Sequence, residues 1–415
     1  MPDLGTIDLT SIYCTKEEAA KQKLRYEKAV ASFVGFTGSQ DFQIYSAPGR
    51  TEIGGNHTDH QKGEVLAASV NKDSIAVVRP RSDNKIRILA EGFGELNVLA
   101  DDLAPRDSEH GTSLALVRGT TASVKEMGYK IGGFDAYITS DVLIGAGLSS
   151  SASFEVLIAT ILSGLYNDMK ITPEDAAIAS QKAENIYFGK PCGLMDQMAC
   201  SVGGTVYIDF KDPSAPKVIK IPLDLSSYGY RLCITDTKGS HADLTPDYAA
   251  IPSEMTRVAN FLGKDKLRDV SLQEILDNVA SLRAETGDRA VLRALHFEQE
   301  TKRAKSEAEA LQLGDFNTFL KIFRKSSDSS FKYLQNVYSN SDVTSQGIAL
   351  ALCISDIILG EDEVSRVHGG GFAGTIQAFV KDDNVERYRS TMDKVFGDGS
   401  CSVMSIRSVG GVRII

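Results

Sequence analysis

Residues 145–153 read GAGLSSSAS, that is Gly145, Ala146, Gly147, Leu148, Ser149, Ser150, Ser151, Ala152 and Ser153, and this run decides how the whole chain is read. Gly145 and Gly147 permit a tight turn in which backbone N–H groups converge, and Ser149, Ser150 and Ser151 add hydroxyls at the start of the next element. That element is helical in pattern, because Phe154, Leu157, Ile158, Ile161, Leu162 and Leu165 recur at helical spacing. The loop is therefore predicted at a helix N-terminus, where the partial positive charge favours anions. The phosphates of a nucleotide are its natural ligand.

Two other glycine loops compete with this reading. A P-loop needs a lysine followed by Ser or Thr after its last glycine, and none follows here. The dinucleotide fingerprint demands glycine where Ser150 stands, although Asp168 lies at a suitable distance for a ribose acid. A mere Gly/Ser linker is opposed by the short, strongly apolar flanks.

With 415 residues the chain is too long for one ordinary core, so two domains with a cleft between them are expected. A content of 42% hydrophobic and 24% charged residues is that of a soluble globular protein, and no apolar run approaches the length of a membrane span. The start, MPDLGTIDLTSIYCTKEEAAKQK, lacks the basic and apolar segments of a signal peptide, so a cytoplasmic location is expected. The six cysteines form no CxxC pair, which argues against a zinc site or a disulfide framework. A net charge of −10 opposes nucleic-acid binding, and an anionic substrate needs local positive charge.

Strands are predicted over Ser74 to Arg79, Ile86 to Ala90 and Phe134 to Thr139. Thr172 before Pro173 reads as the N-cap of a helix running toward Phe188, near whose end stands Glu184, either a metal ligand or a solvated helix carboxylate. The tract Pro213 to Pro216 (PSAP) is taken as the domain boundary, giving domains 1–215 and 216–415. Beyond it, Ala290 to Leu313 is a long helical pattern most of whose charges are expected to form a solvated face, and HGGGFAGTIQAFV from His368 is a second glycine-rich turn leading into a strand.

Two further segments carry chemistry. Ala47 to Gly63, APGRTEIGGNHTDHQKG, packs Arg50, Glu52, Asn56, His57, Thr58, Asp59 and His60 together without apolar periodicity, which suits recognition of a polyhydroxylated ligand. Zinc on His57, Asp59 and His60 is the rival, without HExxH or cysteine support. In Pro191 to Ala199, PCGLMDQMA, Asp196 is the only charged side chain in an apolar turn, either an unusual cap or a working group.

In order and spacing, the stretches APGRTEIGGNHTDHQKG, SDVLIGAGLSSSASFEV, QKAENIYFGKPCGLMDQ and SRVHGGGFAGT resemble the GHMP small-molecule kinases, and within them the galactokinases, from Phe33 to the terminal VGGVRII. The resemblance implies an α+β protein of two domains, the N-terminal one like ribosomal protein S5 domain 2 and the C-terminal one ferredoxin-like, the last strand free to return to the first domain. It implies phosphoryl transfer from ATP to the anomeric hydroxyl of a hexose by a monomer without membrane or nucleic-acid partners. Carried over by position, Gly145 to Ser151 wrap the phosphates, Ser151 and Glu184 hold Mg²⁺, and Arg50 stabilises the transferring group. Asp196 receives the sugar hydroxyl, and Asn56, His57, Thr58, Asp59 and Tyr248 line the sugar pocket.

The chain departs from the usual GRVNLIGEHTDYNxG of that family. Asn56 replaces the glutamate that contacts the C6 hydroxyl, His60 replaces a tyrosine and Gly54 an apolar residue. Leu143 replaces a proline, AAIPSEM follows Tyr248 in place of an arginine pair, and His368 replaces a threonine. A neutral amide at position 56 lessens repulsion of a C6 carboxylate. Galactose is the expected substrate, with galacturonate or an amino or deoxy sugar as alternatives. A non-catalytic sugar sensor is a further class, opposed by the complete serine loop and Asp196.

Overall fold

The computed structural model describes residues 8–142, 147–239, 244–372 and 374–415. Its strands are β1 (Gln43–Gly54), β2 (Glu64–Pro80), β3 (Lys85–Ala90), β4 (Gly94–Leu99), β5 (Phe134–Ser140), β6 (Thr205–Asp209), β7 (Lys217–Ile221), β8 (Tyr230–Asp236), β9 (Val364–Val367), β10 (Thr375–Lys381), β11 (Cys401–Met404) and β12 (Val412–Arg413). Its α-helices are α1 (Thr10–Tyr13), α2 (Lys16–Thr37), α3 (Ser113–Glu126), α4 (Ser150–Tyr166), α5 (Pro173–Lys182), α6 (Met195–Val202), α7 (Thr245–Phe261), α8 (Leu272–Asp277), α9 (Val279–Thr286), α10 (Asp288–Gln312), α11 (Phe316–Ser329), α12 (Gly347–Ile358) and α13 (Val385–Phe396). No helix among the described residues is long and apolar enough to cross a membrane.

The strand-like runs read from the sequence fall in β2, β3 and β5, and the Thr172 hydroxyl caps α5 by accepting from Asp175 N–H. The first sheet has the order β12-β1-β2-β5-β3-β4, and β6 pairs both β2 and β7. Alternation along its strands feeds two cores. Ile44, Ile75, Val77 and Tyr137 meet Tyr26, Val30 and Phe33 of α2 on one face. Tyr45, Ala76, Val78, Ala136 and Ile138 meet Val156, Leu157 and Ile161 of α4 on the other. Strand β12 pairs β1 with Tyr45 opposite Arg413, so the chain end closes the first sheet. Strand β7 lies beyond the Pro213–Pro216 tract and still pairs β6, so the first sheet extends past residue 215.

The second sheet is antiparallel, in the order β11-β8-β10-β9. Numbered from β8 this is the order 4-1-3-2 with a helix before its second and fourth strands, the ferredoxin-like βαββαβ arrangement. The fold is thus α+β with two sheets. Between the sheets lies one shared core, in which Ile53 and Leu66 of the first, Leu232 and Phe379 of the second, and Phe319 and Phe323 of α11 pack together. This contact brings the β1–β2 loop against the glycine turn after β9.

One sequence expectation changes here. Helix α10 keeps only part of its charge on a solvated face: Lys302, Lys305 and Glu309 are exposed, but Arg293, Glu300 and Glu307 are buried, and so is His296. The helix is enclosed on that side because it crosses beneath the β1–β2 loop, where Glu300 accepts from Asn56 N–H and Arg303 while Glu307 has no hydrogen-bond partner.

Candidate active site

Helix α4 begins at Ser150, with Ser149 as its N-cap at φ 57°, in the left-handed region that non-glycine residues rarely enter. Ser149 makes no capping bond to the helix. Its hydroxyl donates instead to Asp196 Oδ2 at 2.7 Å, and the first intrahelical bond is Ser153 N–H to Ser149 C=O. The N–H groups of the first turn are thus left to a ligand, as at other anion-binding helix ends. Gly147 has φ 71°, and a Cβ there would lie 2.3 Å from Thr375 Oγ1 and 2.8 Å from His368 Nδ1, so only glycine fits. Gly145 and Ala146, and Leu143 before them, lie outside the described residues.

Arg50 projects from β1 next to a break in the β1–β2 register between Pro48 and Arg50. It grips Asp196 in the first turn of α6 with two parallel bonds, Nε to Oδ1 and Nη2 to Oδ2, both 2.7 Å, and donates from Nη1 to the Gly147 carbonyl. Burial pushes the Asp196 carboxyl up, but the Arg50 charge and the hydrogen bonds from Arg50 and Ser149 outweigh it and hold the group below its ordinary value. Asp196 is therefore ionised at neutral pH, and three of the five guanidinium N–H groups are engaged.

Glu184 sits in a π-helical turn, Ala183–Phe188, that continues α5; such turns insert one extra residue and re-aim side chains. Its Oε1 accepts from Ser151 Oγ at 3.2 Å and from Lys190 Nζ at 3.1 Å. Its Oε2 accepts from Gln197 Nε2 at 2.7 Å, and the same Nε2 reaches Glu155 Oε2 at 3.2 Å. Ser151 and Glu184 thus offer adjacent hard oxygens, a donor set that suits Mg²⁺. Among the described residues no group of three or more His, Cys, Asp or Glu side chains forms a metal cage, so such an ion needs phosphate oxygens and water to complete its shell. The sequence reading missed Gln197, Glu155 and Lys190. Glu155 was findable, one helical turn after Ser151, and Gln197 directly follows Asp196.

The sugar-loop residues converge on the glycine turn 369–371. His57, at φ 59°, places Nε2 3.0 Å from the Gly370 carbonyl, so Nε2 carries the proton. Burial lowers its pKa to about 4, and the ring is neutral. Tyr248 donates to the Gly371 carbonyl at 2.9 Å. Asp59 accepts from His60 N–H at 2.9 Å, and a Cβ on Gly193 would lie 1.7 Å from Asp59 Oδ2, so Asp59 borders the segment that leads into Asp196. Burial and then the Asp196 charge push the Asp59 carboxyl up to about 6.

Asn56 and Thr58 behave differently from the pocket-lining role expected of them. Both are fully buried. Thr58 Oγ1 lies against the Gly55 and Glu64 carbonyls and closes the turn. Asn56 donates to Glu52 Oε1 at 2.7 Å and to the Gly369 carbonyl at 2.8 Å, and accepts from Asn336 Nδ2 at 2.9 Å and Ser330 Oγ at 3.3 Å. Its amide is saturated within the protein. Beneath it, Arg366 reaches Glu52 Oε1 at 2.8 Å, and Glu300 accepts from Asn56 N–H, Ser326 Oγ and Arg303 Nε. Burial opposes ionisation of Glu300, but Arg303, His296 and Arg366 hold it down to about 2, whereas burial pushes Glu52 up to about 7. Glu307 is also buried, with neither carboxyl oxygen bonded to a protein group, and a Cβ at position 54 would lie 1.8 Å from its Oε2. Gly54 therefore makes room for Glu307. His368 ties this layer to the second sheet, bonding Thr51 Oγ1 and Thr375 Oγ1 through its two ring nitrogens.

The GHMP kinases N terminal domain matches residues 115–204, and the galactokinase galactose-binding signature matches residues 31–80. A Streptomyces coelicolor galactokinase is 29% identical over 381 residues, covering 89% of this chain and 94% of the relative. An Actinobacillus pleuropneumoniae galactokinase is 29% identical over 362 residues, covering 87% and 91%. Among solved structures, Lactococcus lactis galactokinase complexed with galactose superposes with a TM-score of 0.81 at 23% identity, over 94% of this chain and 99% of that one. A mevalonate kinase superposes with a TM-score of 0.62 at 15% identity, over 88% and 98%. Signature and fold point the same way: the chain carries the GHMP kinases N terminal domain and the galactokinase galactose-binding signature, and over most of its length it is similar to the galactokinases.

Proposed function

We propose that the protein transfers the γ-phosphoryl group of ATP to the anomeric hydroxyl of a hexose, with galactose as substrate. The observation that carries this reading is the Arg50–Asp196 pair, wedged between the open first turn of α4 and the sugar loop and tied to the former by Ser149. Phosphoryl transfer asks a protein mainly to position two substrates and neutralise charge. Here the α4 N-terminus takes the phosphates, and Arg50 has N–H groups to spare for the oxygens of the transferring group. Asp196 accepts a hydrogen bond from the sugar hydroxyl. Because Arg50 holds its pKa low, Asp196 is a weak base whose main work is to aim that oxygen; it takes the hydroxyl proton only late, as the new O–P bond forms and the bond from the γ-phosphorus to the oxygen of departing ADP breaks.

Ser151 and Glu184 would hold Mg²⁺, which when bound spreads the charge of the triphosphate. Asp59, His57 and Tyr248 give the sugar pocket its acceptors and walls. An assay of ADP release with ATP, Mg²⁺ and a panel of free sugars and uronic acids tests the reading. Galactose should be turned over well above the buffer rate, and a panel without any turnover would refute it.

A further inference from the structure

Glu184 is fixed at both oxygens, but in unequal ways. Gln197 clamps Oε2 from inside at 2.7 Å, and the Glu184 side chain is 3% exposed. Oε1 meets the Ser151 hydroxyl and the Lys190 ammonium, and the Lys190 side chain is 63% exposed. The carboxylate cannot leave, whereas its cation is on a flexible four-carbon stem in water.

The backbone around Lys190 is built to keep it there. Lys190 N–H donates to the Glu184 carbonyl at 3.1 Å, Gly189 takes the left-handed conformation at φ 81°, and Asn185 Oδ1 accepts from Cys192 N–H at 2.7 Å. Behind Glu184 stands Glu155, fully buried and sharing the Gln197 amide, and Asp196 lies in the same turn as Gln197. Glu155 thus shares an amide with Glu184, Asp196 is taken by Arg50, and Lys190 is the mobile cation on Glu184.

We propose that Lys190 is a displaceable counter-ion for the metal-ligand carboxylate, holding Glu184 Oε1 against free divalent cations until a nucleotide arrives. A divalent ion alone must expel the ammonium into water. An ion arriving with a triphosphate brings oxygens that the freed ammonium can take as partners, so metal entry is coupled to nucleotide entry. This rests on the reading of Ser151 and Glu184 as the metal pair.

Manganese binding to the full-length protein without nucleotide, followed by electron paramagnetic resonance of the free ion, tests it. Lys190→Met should tighten Mn²⁺ binding about fivefold or more, the factor that one unit charge at about 4 Å is worth even in bulk water. Lys190→Arg should bind Mn²⁺ like wild type. The tightening should vanish in the Lys190→Met, Glu184→Gln double variant. Equal Mn²⁺ affinity in wild type and Lys190→Met, with Glu184→Gln weakening both, would overturn the counter-ion role and leave the ligand reading standing. Tightening that survives Glu184→Gln would refute the ligand reading and the counter-ion role with it.

Discussion

The phosphate side of the site and the layer beneath the sugar loop are both dense in charge, yet they are organised in opposite ways. On the phosphate side Asp196 and Lys190 stay partly exposed, and Arg50 and Glu184 are each paired where a substrate can compete for the partner. Beneath the sugar loop, Glu52, Asn56, Glu300 and Arg366 are all buried and bonded to one another. The first arrangement keeps charge available for chemistry. The second locks the shape of a loop, with the carboxylate at position 52 and the amide at 56 where the family pattern has the reverse.

Breaking the phosphate side should have the largest effect. Asp196→Asn keeps the shape but loses the carboxylate, and turnover should fall by roughly two to four orders of magnitude with folding and nucleotide binding nearly intact. Steady-state kinetics on the folded variant checks this, and a loss of only a few-fold would remove Asp196 from the mechanism.

The buried layer answers to stability rather than to rate. Asn56→Glu sets a second carboxylate against Glu52, now 2.7 Å from the Asn56 amide, and should destabilise the protein by about 3–5 kcal/mol, the scale of an uncompensated buried charge. Adding Glu52→Asn, which restores one acid and one amide, should recover most of that loss in denaturant unfolding. A double variant no better than the single would show that the two positions do not act as a pair. Assayed with galactose and galacturonate, the same double variant reports whether the exchange shapes substrate choice.

Glu307 gives a smaller effect with a definite sign. Its folded pKa is raised by burial above the unfolded value, so the folded state prefers the protonated acid. The stability it supports is present below the ordinary carboxylate pKa and is lost as pH rises through the folded value. Glu307→Met should remove that loss and stabilise the protein by about 1–3 kcal/mol at pH 8, with less gain at pH 5. A pH-independent difference in thermal unfolding would contradict the assignment.

Asp59 gives the mildest effect. With a pKa near 6, it loses its charge as the solution is acidified, and KM for the sugar should rise about tenfold from pH 7 to pH 5 as the acceptor is protonated. Asp59→Asn should flatten that rise. A KM profile that is the same in both proteins would exclude Asp59 as the titrating group.

Much of the phosphate side was legible in the chain because its parts are local. The serine loop and α4 are consecutive, the Thr172 cap and Pro173 announce α5, and Asp196 stands out in an apolar turn. The π-helical turn under Glu184 carries no such mark. The layer beneath the sugar loop could not be read because its partners are far apart in sequence. Arg366 meets Glu52 from 314 residues away and Asn336 meets Asn56 from 280. Helical periodicity in α10 gave Glu300 and Glu307 the look of surface charges, and only the packing of α10 under β1 and β2 buries them.

Phosphorus NMR of the product tests the central claim most directly. Incubated with ATP, Mg²⁺ and galactose, the wild type should yield a sugar phosphate whose phosphorus couples to the anomeric proton, and Asp196→Asn should yield almost none in the same time. Phosphate on any other sugar oxygen, or ATP hydrolysed to free phosphate with galactose unchanged, would contradict the assignment of Arg50, Ser149 and Asp196 to transfer onto the anomeric hydroxyl.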